Sequence, residues 1–113
     1  NKTDHKIKYW INDKEYEIKY TINTLCTMAN NGIDVMNLDK ITMNIVTVRE
    51  LLMYGLKHEN KKITQNQTGD LMDAYFEEGG KFGELAEEIM FALAKSLGNG
   101  EEKDEAEKQE EGK

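Results

Sequence analysis

Thr47-Val48-Arg49-Glu50-Leu51-Leu52-Met53-Tyr54-Gly55-Leu56-Lys57-His58 is the stretch on which the fold turns. Threonine at its head and glutamate three residues on form a capping box. The Thr47 side chain would accept from a backbone N–H, and Glu50 would reach back to the cap. Val48, Leu51, Leu52, Gly55 and Leu56 follow at three- and four-residue steps, which places them on one face of a helix. Glycine inside a helix costs up to about 1 kcal/mol against alanine. Gly55 therefore implies a compensation, and close packing by another helix is the expected one. Lys57 and His58 put positive character in the last turn, where it suits the helix dipole.

Downstream, Thr64 and Gln67 repeat the cap arrangement. Thr68, Leu71, Met72, Tyr75 and Phe76 form the stripe of that helix, and Gly79-Gly80 ends it. A last helix carries Phe82, Leu85, Ala86, Ile89, Leu93, Ala94 and Leu97, and Gly98-Asn99-Gly100 stops it. Upstream, residues 41–46 read either as a strand, through Ile41, Met43 and Ile45, or as an ordered connection. Asp34 can cap a short helix with Met36 and Leu38 that ends near Lys40. Ile22, Leu25, Cys26 and Ala29 share a helical stripe before an Asn31-Gly32 stop.

The first twenty residues change period. Ile7, Tyr9 and Ile11 alternate with Lys8 and Trp10, and Tyr16, Ile18 and Tyr20 alternate with Glu17 and Lys19. Period-two alternation about Asn12-Asp13 predicts a β-hairpin whose apolar face packs on the helices. The register stays open, because pairing Tyr9 with either Tyr16 or Ile18 keeps the apolar faces together. At the other end, residues 101–113 hold seven acids, three lysines and one alanine. Such a segment cannot offset its ordering entropy by burial, so a disordered, solvated tail is expected. The fold expected is α+β and mainly helical: an N-terminal β-hairpin packed on a bundle of four to five short helices. Residues 1–98 form one domain and 99–113 an acidic tail.

The charge and composition narrow the function. The net charge of the 113 residues is −7, against the basic patch that nucleic-acid binding requires, so neither nucleic acid nor an anionic membrane is an expected partner. No apolar run reaches the roughly 18–20 residues that span a bilayer. The start at Asn1 leaves room for an initiator Met or a short leader ahead of it. Cys26 stands alone, which suits a reducing compartment, and reads as a small buried hydrophobe. His5 and His58 lack a Cys or His at ligand spacing, so no zinc site is expected. Asp70, Asp73, Glu77 and Glu78 read as a solvated helix face. Ser96 ends a helix, and nothing local supports pairing Cys26 with His58 as nucleophile and base. No cofactor-binding fingerprint is present, and the expectation is a protein that is not an enzyme.

The residues that suggest binding are aromatic. Trp10 falls on the polar face of the expected hairpin, and large aromatics outside a core often anchor partners. Met53 and Tyr54 lie off the main stripe of their helix. With Tyr75 and Phe76 they make up the expected protein-binding set. Trp10 and the hairpin edge are also compatible with a homo-oligomer. Six methionines suit adaptable surfaces, but most are expected in the core.

In order, the segments run I-N-D-K-E-Y-E-I-K-Y, T-I-N-T-L-C, G-I-D-V, V-R-E-L-L-M-Y-G-L-K-H-E-N, D-L-M-D-A-Y-F-E-E-G-G and E-L-A-E-E-I-M-F-A-L. Over about residues 7–97 this resembles the tail assembly chaperones of long-tailed, siphovirus-type phages and prophages of Gram-positive bacteria. More loosely, it resembles the related proteins of gene transfer agents. Leu51 to His58 and Asp70 to Gly80 carry most of the likeness. In that family the Thr-Leu-Cys stretch leads into a longer, Glu-rich helix, where Thr27-Met28-Ala29-Asn30-Asn31 stands here. The resemblance implies a chaperone that binds the helical tape measure protein, keeps it soluble and promotes tail tube assembly. It implies work in the bacterial host cytoplasm and absence from the mature virion. It also implies a longer frameshifted product that recruits the major tail tube protein, and a slippery run could encode Gly112-Lys113. The competing expectation is an acidic phage-encoded inhibitor or nucleic-acid mimic that binds a host protein.

Overall fold

The structure, a computed structural model, describes residues 14–98. Four α-helices follow in order: α1 (Ile22–Asn30), α2 (Ile45–Leu56), α3 (Gln65–Glu77) and α4 (Phe82–Ser96), with a 3-10 turn at Leu38–Lys40 between the first two. The described part is mainly helical and holds no strand of more than one residue. Lys14 and Glu17 are single bridge positions, and the segment through Tyr20 is extended. The expected β-hairpin is therefore not supported: among the described residues this segment is an extended arm, and its one backbone bond to another element goes to α2 rather than to a partner strand. The residues that would have formed its first strand, with Trp10, and the expected acidic tail at 99–113 lie outside the described residues.

The arm follows its alternation. Ile18 and Tyr20 are buried while Lys19 is exposed, so one face enters the core as period two requires. What it covers is α2. The Lys19 N–H donates to the Gly55 carbonyl at 2.9 Å, and the Tyr20 hydroxyl donates to the Leu51 carbonyl at 2.6 Å. Burial pushes the Tyr20 phenol well above its ordinary value, so it stays an O–H donor. Tyr20→Phe keeps the ring and loses that bond, and should cost about 1 kcal/mol in urea unfolding; an unchanged midpoint would show that the bond contributes nothing.

Helix α2 is the centre of the molecule. It packs on both α3 and α4, and every residue from Leu51 to Leu56 is buried. The arm covers the Leu51 and Gly55 side of the helix, and burial extends beyond the expected stripe to Met53 and Tyr54, the latter meeting Asn31 at the end of α1. The compensation at Gly55 comes from this arm rather than from a helix: a Cβ there would lie 2.8 Å from Ile18 Cγ2 and 2.9 Å from the Tyr20 hydroxyl. The helix also begins earlier than the Thr47 box implies. Asn44 is its N-cap, accepting the Thr47 N–H at 2.8 Å. Asparagine ranks above threonine as a cap, so Ile45 and Val46 fall in the first turn and settle the open reading of 41–46 as connection and helix start.

The other caps are mixed in outcome. At α3 the box forms as expected: Gln67 N–H donates to Thr64 Oγ1, and Thr64 N–H to Gln67 Oε1, both at 3.1 Å. Asp34 does not start an α-helix. Its carboxylate accepts from the Met36 N–H and from Asn37 Nδ2, a local turn that competes with helix, and only the 3-10 turn follows. In α1 the inward residues are Leu25 and Met28. Ile22, Cys26 and Ala29 are exposed, so the expected stripe is rotated and Cys26 is not a core residue. Gly32 stops this helix at φ +89°. Met28, Met53 and Met72 are buried, whereas Met36 is 74% exposed. Leu85, Ile89, Ala92 and Leu93 give α4 its inward face. No described helix is long and apolar enough to cross a membrane.

Candidate functional site

The cap at Asn44 has a consequence at the surface. The inward face of α2 starts at Val48, so the two apolar residues of its first turn have no core to enter. Ile45 is 56% and Val46 64% exposed. They border a groove of about 580 Å³ between the start of α2 and the face of α3. Met72 and Phe76 contribute apolar surface from α3, and Asp70 and Asp73 stand along its rim. Both aspartates are exposed. Phe76 is half-buried and meets Tyr75 edge-on at 5.4 Å between ring centroids.

Arg49 crosses the groove wall at Gly69, where a Cβ would lie 3.5 Å from Arg49 Cδ. A methyl group in place of the Gly69 hydrogen would make ordinary van der Waals contact with the arginine stem. The Arg49 Nε is buried and has no hydrogen-bond partner among the described residues. A buried guanidinium N–H without an acceptor is costly. The site therefore combines exposed apolar surface, an acidic rim and one unsatisfied donor. Such an arrangement is compatible with the apolar face of an amphipathic helix.

The residues expected to bind protein are dispersed. Phe76 lines the groove. Tyr75 is in the core, with its hydroxyl donating to the Lys81 carbonyl at 3.3 Å. Met53 and Tyr54 are 9% and 7% exposed, and the Tyr54 hydroxyl accepts from Asn31 Nδ2 at 2.9 Å. They present little surface to a partner in this conformation. Trp10 lies outside the described residues. Ile45, Val46 and Arg49 were not singled out in the sequence; the signal that could have found them is Asn44, the stronger cap, two residues before Val46.

A second polar cluster joins distant parts of the chain. Glu17, His58 and Glu59 bring ligand-type atoms within 4.8 Å of one another. His58 had no ligand partner at sequence spacing because Glu17 reaches it across 41 residues. Their hydrogen bonds give the cluster a structural role. The Glu17 N–H donates to Glu59 Oε2 at 3.2 Å. His58 Nε2 lies 2.9 Å from the Glu17 carbonyl oxygen, and a carbonyl can only accept, so Nε2 carries the proton. Together they hold both backbone groups of Glu17 and fasten the arm beside the end of α2. Asp70, Asp73, Glu77 and Glu78 are all exposed. The Ser96 hydroxyl donates to the Leu93 carbonyl at 2.6 Å, an ordinary bond within a helix end.

A family model described as Domain of unknown function (DUF5055) matches residues 3–111. No curated protein and no solved structure matches the chain.

Proposed function

We propose, for a chain that belongs to the DUF5055 family, that it is a non-catalytic tail assembly chaperone of a phage or prophage. Its client is the tape measure protein, one helix of which it holds in the groove between α2 and α3. The single observation that carries the reading is the pair Ile45 and Val46, exposed beside that groove. Two neighbouring branched apolar side chains in water are unfavourable unless something covers them, at roughly 25 cal/mol for each Å² that burial would remove. The segment order supports the same role through its resemblance to such chaperones. On this reading the protein acts in the host cytoplasm and leaves before the virion matures. A longer frameshifted product would add contact with the tail tube protein.

Co-expression tests it. The tape measure protein from the same gene cluster should become soluble and co-purify with this chain. Val46→Asp should reduce the retained tape measure at least tenfold. An aspartate in the first turn of a helix suits the dipole, and the site is exposed, so the variant should melt within about 0.5 kcal/mol of the parent. Insoluble tape measure with no co-elution would overturn the proposal. An acidic inhibitor would instead depend on carboxylates alone. Deleting residues 101–113 should then abolish its binding, whereas a groove binder keeps most of its affinity.

A further inference from the structure

The charge around the groove goes further than its apolar surface, and the inference rests on the groove reading above. Asp70 and Asp73 line it, and Glu77 follows them on α3 at helical spacing, also exposed. Asp70 and Asp73 thus stand about one turn apart beside the apolar surface, and Glu77 lies a further turn along α3, beyond the lining residues. The opposite wall has a single charged group, Arg49, whose Nε lacks an acceptor among the described residues. The protein as a whole carries −7. An occupant with acidic flanks would meet like charge along α3, which disfavours the chain's own tail at 101–113, itself −4 from seven acids and three lysines. A second copy of this chain meets the same repulsion in its net charge.

We infer that the groove selects a partner helix with one apolar face flanked by lysine or arginine, the basic flank lying along Asp70 and Asp73. The apolar anchors supply most of the affinity, and the acidic rim sets the direction in which the helix lies and rejects acidic helices. Exposed ion pairs are individually weak, so the selectivity is modest, and it falls as salt screens it.

Three synthetic helical peptides test this on the full chain. They share one leucine face and differ only in flanks of lysine, glutamine or glutamate. Affinities are read by fluorescence anisotropy at low and high salt. At low salt the lysine peptide should bind about five- to tenfold tighter than the glutamine peptide, and the glutamate peptide weakest of the three. High salt should close the gap. The double variant Asp70→Asn/Asp73→Asn should bind the lysine and glutamine peptides equally. Val46→Asp should weaken all three. Equal binding of the lysine and glutamine peptides to the parent, still sensitive to Val46→Asp, would overturn the charge selection and leave the groove reading standing. Tightest binding by the glutamate peptide would also overturn it. If no peptide binds, or if Val46→Asp changes nothing, the groove reading falls and the inference with it. A parent chain that dimerises alone, and is monomeric as Val46→Asp, would make a second copy the occupant and overturn the proposal.

Discussion

Gly55→Val should destabilise the protein by about 3 kcal/mol and release the N-terminal arm from α2. The argument begins with space. A Cβ at this position would already lie 2.8 Å from Ile18 Cγ2 and 2.9 Å from the Tyr20 hydroxyl. Valine adds two methyl groups beyond it. Ile18 is branched at Cβ, so its Cγ2 cannot swing away freely, and Tyr20 is held by its bond to the Leu51 carbonyl. Overpacking a filled core costs roughly 1–3 kcal/mol. Displacing the arm adds the loss of buried Ile18 and Tyr20 and of the Lys19 bond to the Gly55 carbonyl. The gain in helix propensity over glycine is only a few tenths of a kcal/mol. Gly55→Ala gains more propensity and intrudes less, so its net cost should be nearer 1 kcal/mol. Urea midpoints would measure both. Gly83 is the control, since a Cβ there meets nothing within 4 Å; Gly83→Ala should be neutral or slightly stabilising. Trimming the neighbour should recover part of the loss: Ile18→Ala with Gly55→Val should cost at least 1 kcal/mol less than the two separate costs combined. A Gly55→Val protein as stable as the parent would mean the arm is not packed on the helix.

That contact also shows what local sequence can convey. Gly55 announced a close approach, because an interior glycine in a good helix needs a reason. Which element approaches depends on tertiary arrangement, and Ile18 and Tyr20 lie more than thirty residues upstream in a segment of different period. The same holds for Met53 and Tyr54, which sit off the apolar stripe. They count as surface until their tertiary neighbours are known, such as Asn31 at the end of α1 against the Tyr54 hydroxyl. The Thr64–Gln67 box was legible because its atoms all lie within four residues. The Thr47–Glu50 box was equally well formed as a pattern, yet Asn44 captured the Thr47 N–H first. That three-residue displacement placed Ile45 and Val46 beside the groove, and no periodicity could have shown it. The arm's attachment to His58 and Glu59 was likewise invisible, since neither residue has a partner nearby in sequence. The resemblance to tail assembly chaperones suggested a kind of client, and the proposed function places it on the exposed first turn of α2.

Gly80→Ala should cost about 3 kcal/mol, more than replacement of its neighbour Gly79. The two glycines form one helix stop in sequence, but they do different work. Gly79 takes φ +105°, and alanine there would suffer backbone strain of order 1–2 kcal/mol. Gly80 has no such φ. Instead, a Cβ on it would overlap three atoms of the Tyr75 ring. The backbone cannot yield easily, because the Gly80 N–H donates to the Tyr75 carbonyl at 2.9 Å and fixes the turn against the same residue. The ring must therefore leave. It is 3% exposed, and full burial of a large side chain contributes roughly 1.5–3 kcal/mol, to which the displaced contact with Phe76 adds. Removing the ring removes the clash: Tyr75→Ala alone should be strongly destabilising, at about 3–5 kcal/mol, but adding Gly80→Ala to it should cost less than 1 kcal/mol more. Denaturant unfolding of the four proteins in this cycle gives the coupling directly, and additive costs would show that ring and glycine are independent. Phe76 carries the effect to the groove. Because it packs on Tyr75 and lines the candidate site, Gly80→Ala should also weaken binding of a lysine-flanked helix at temperatures where the variant is still folded. Val46→Asp, by contrast, should weaken it with the core untouched.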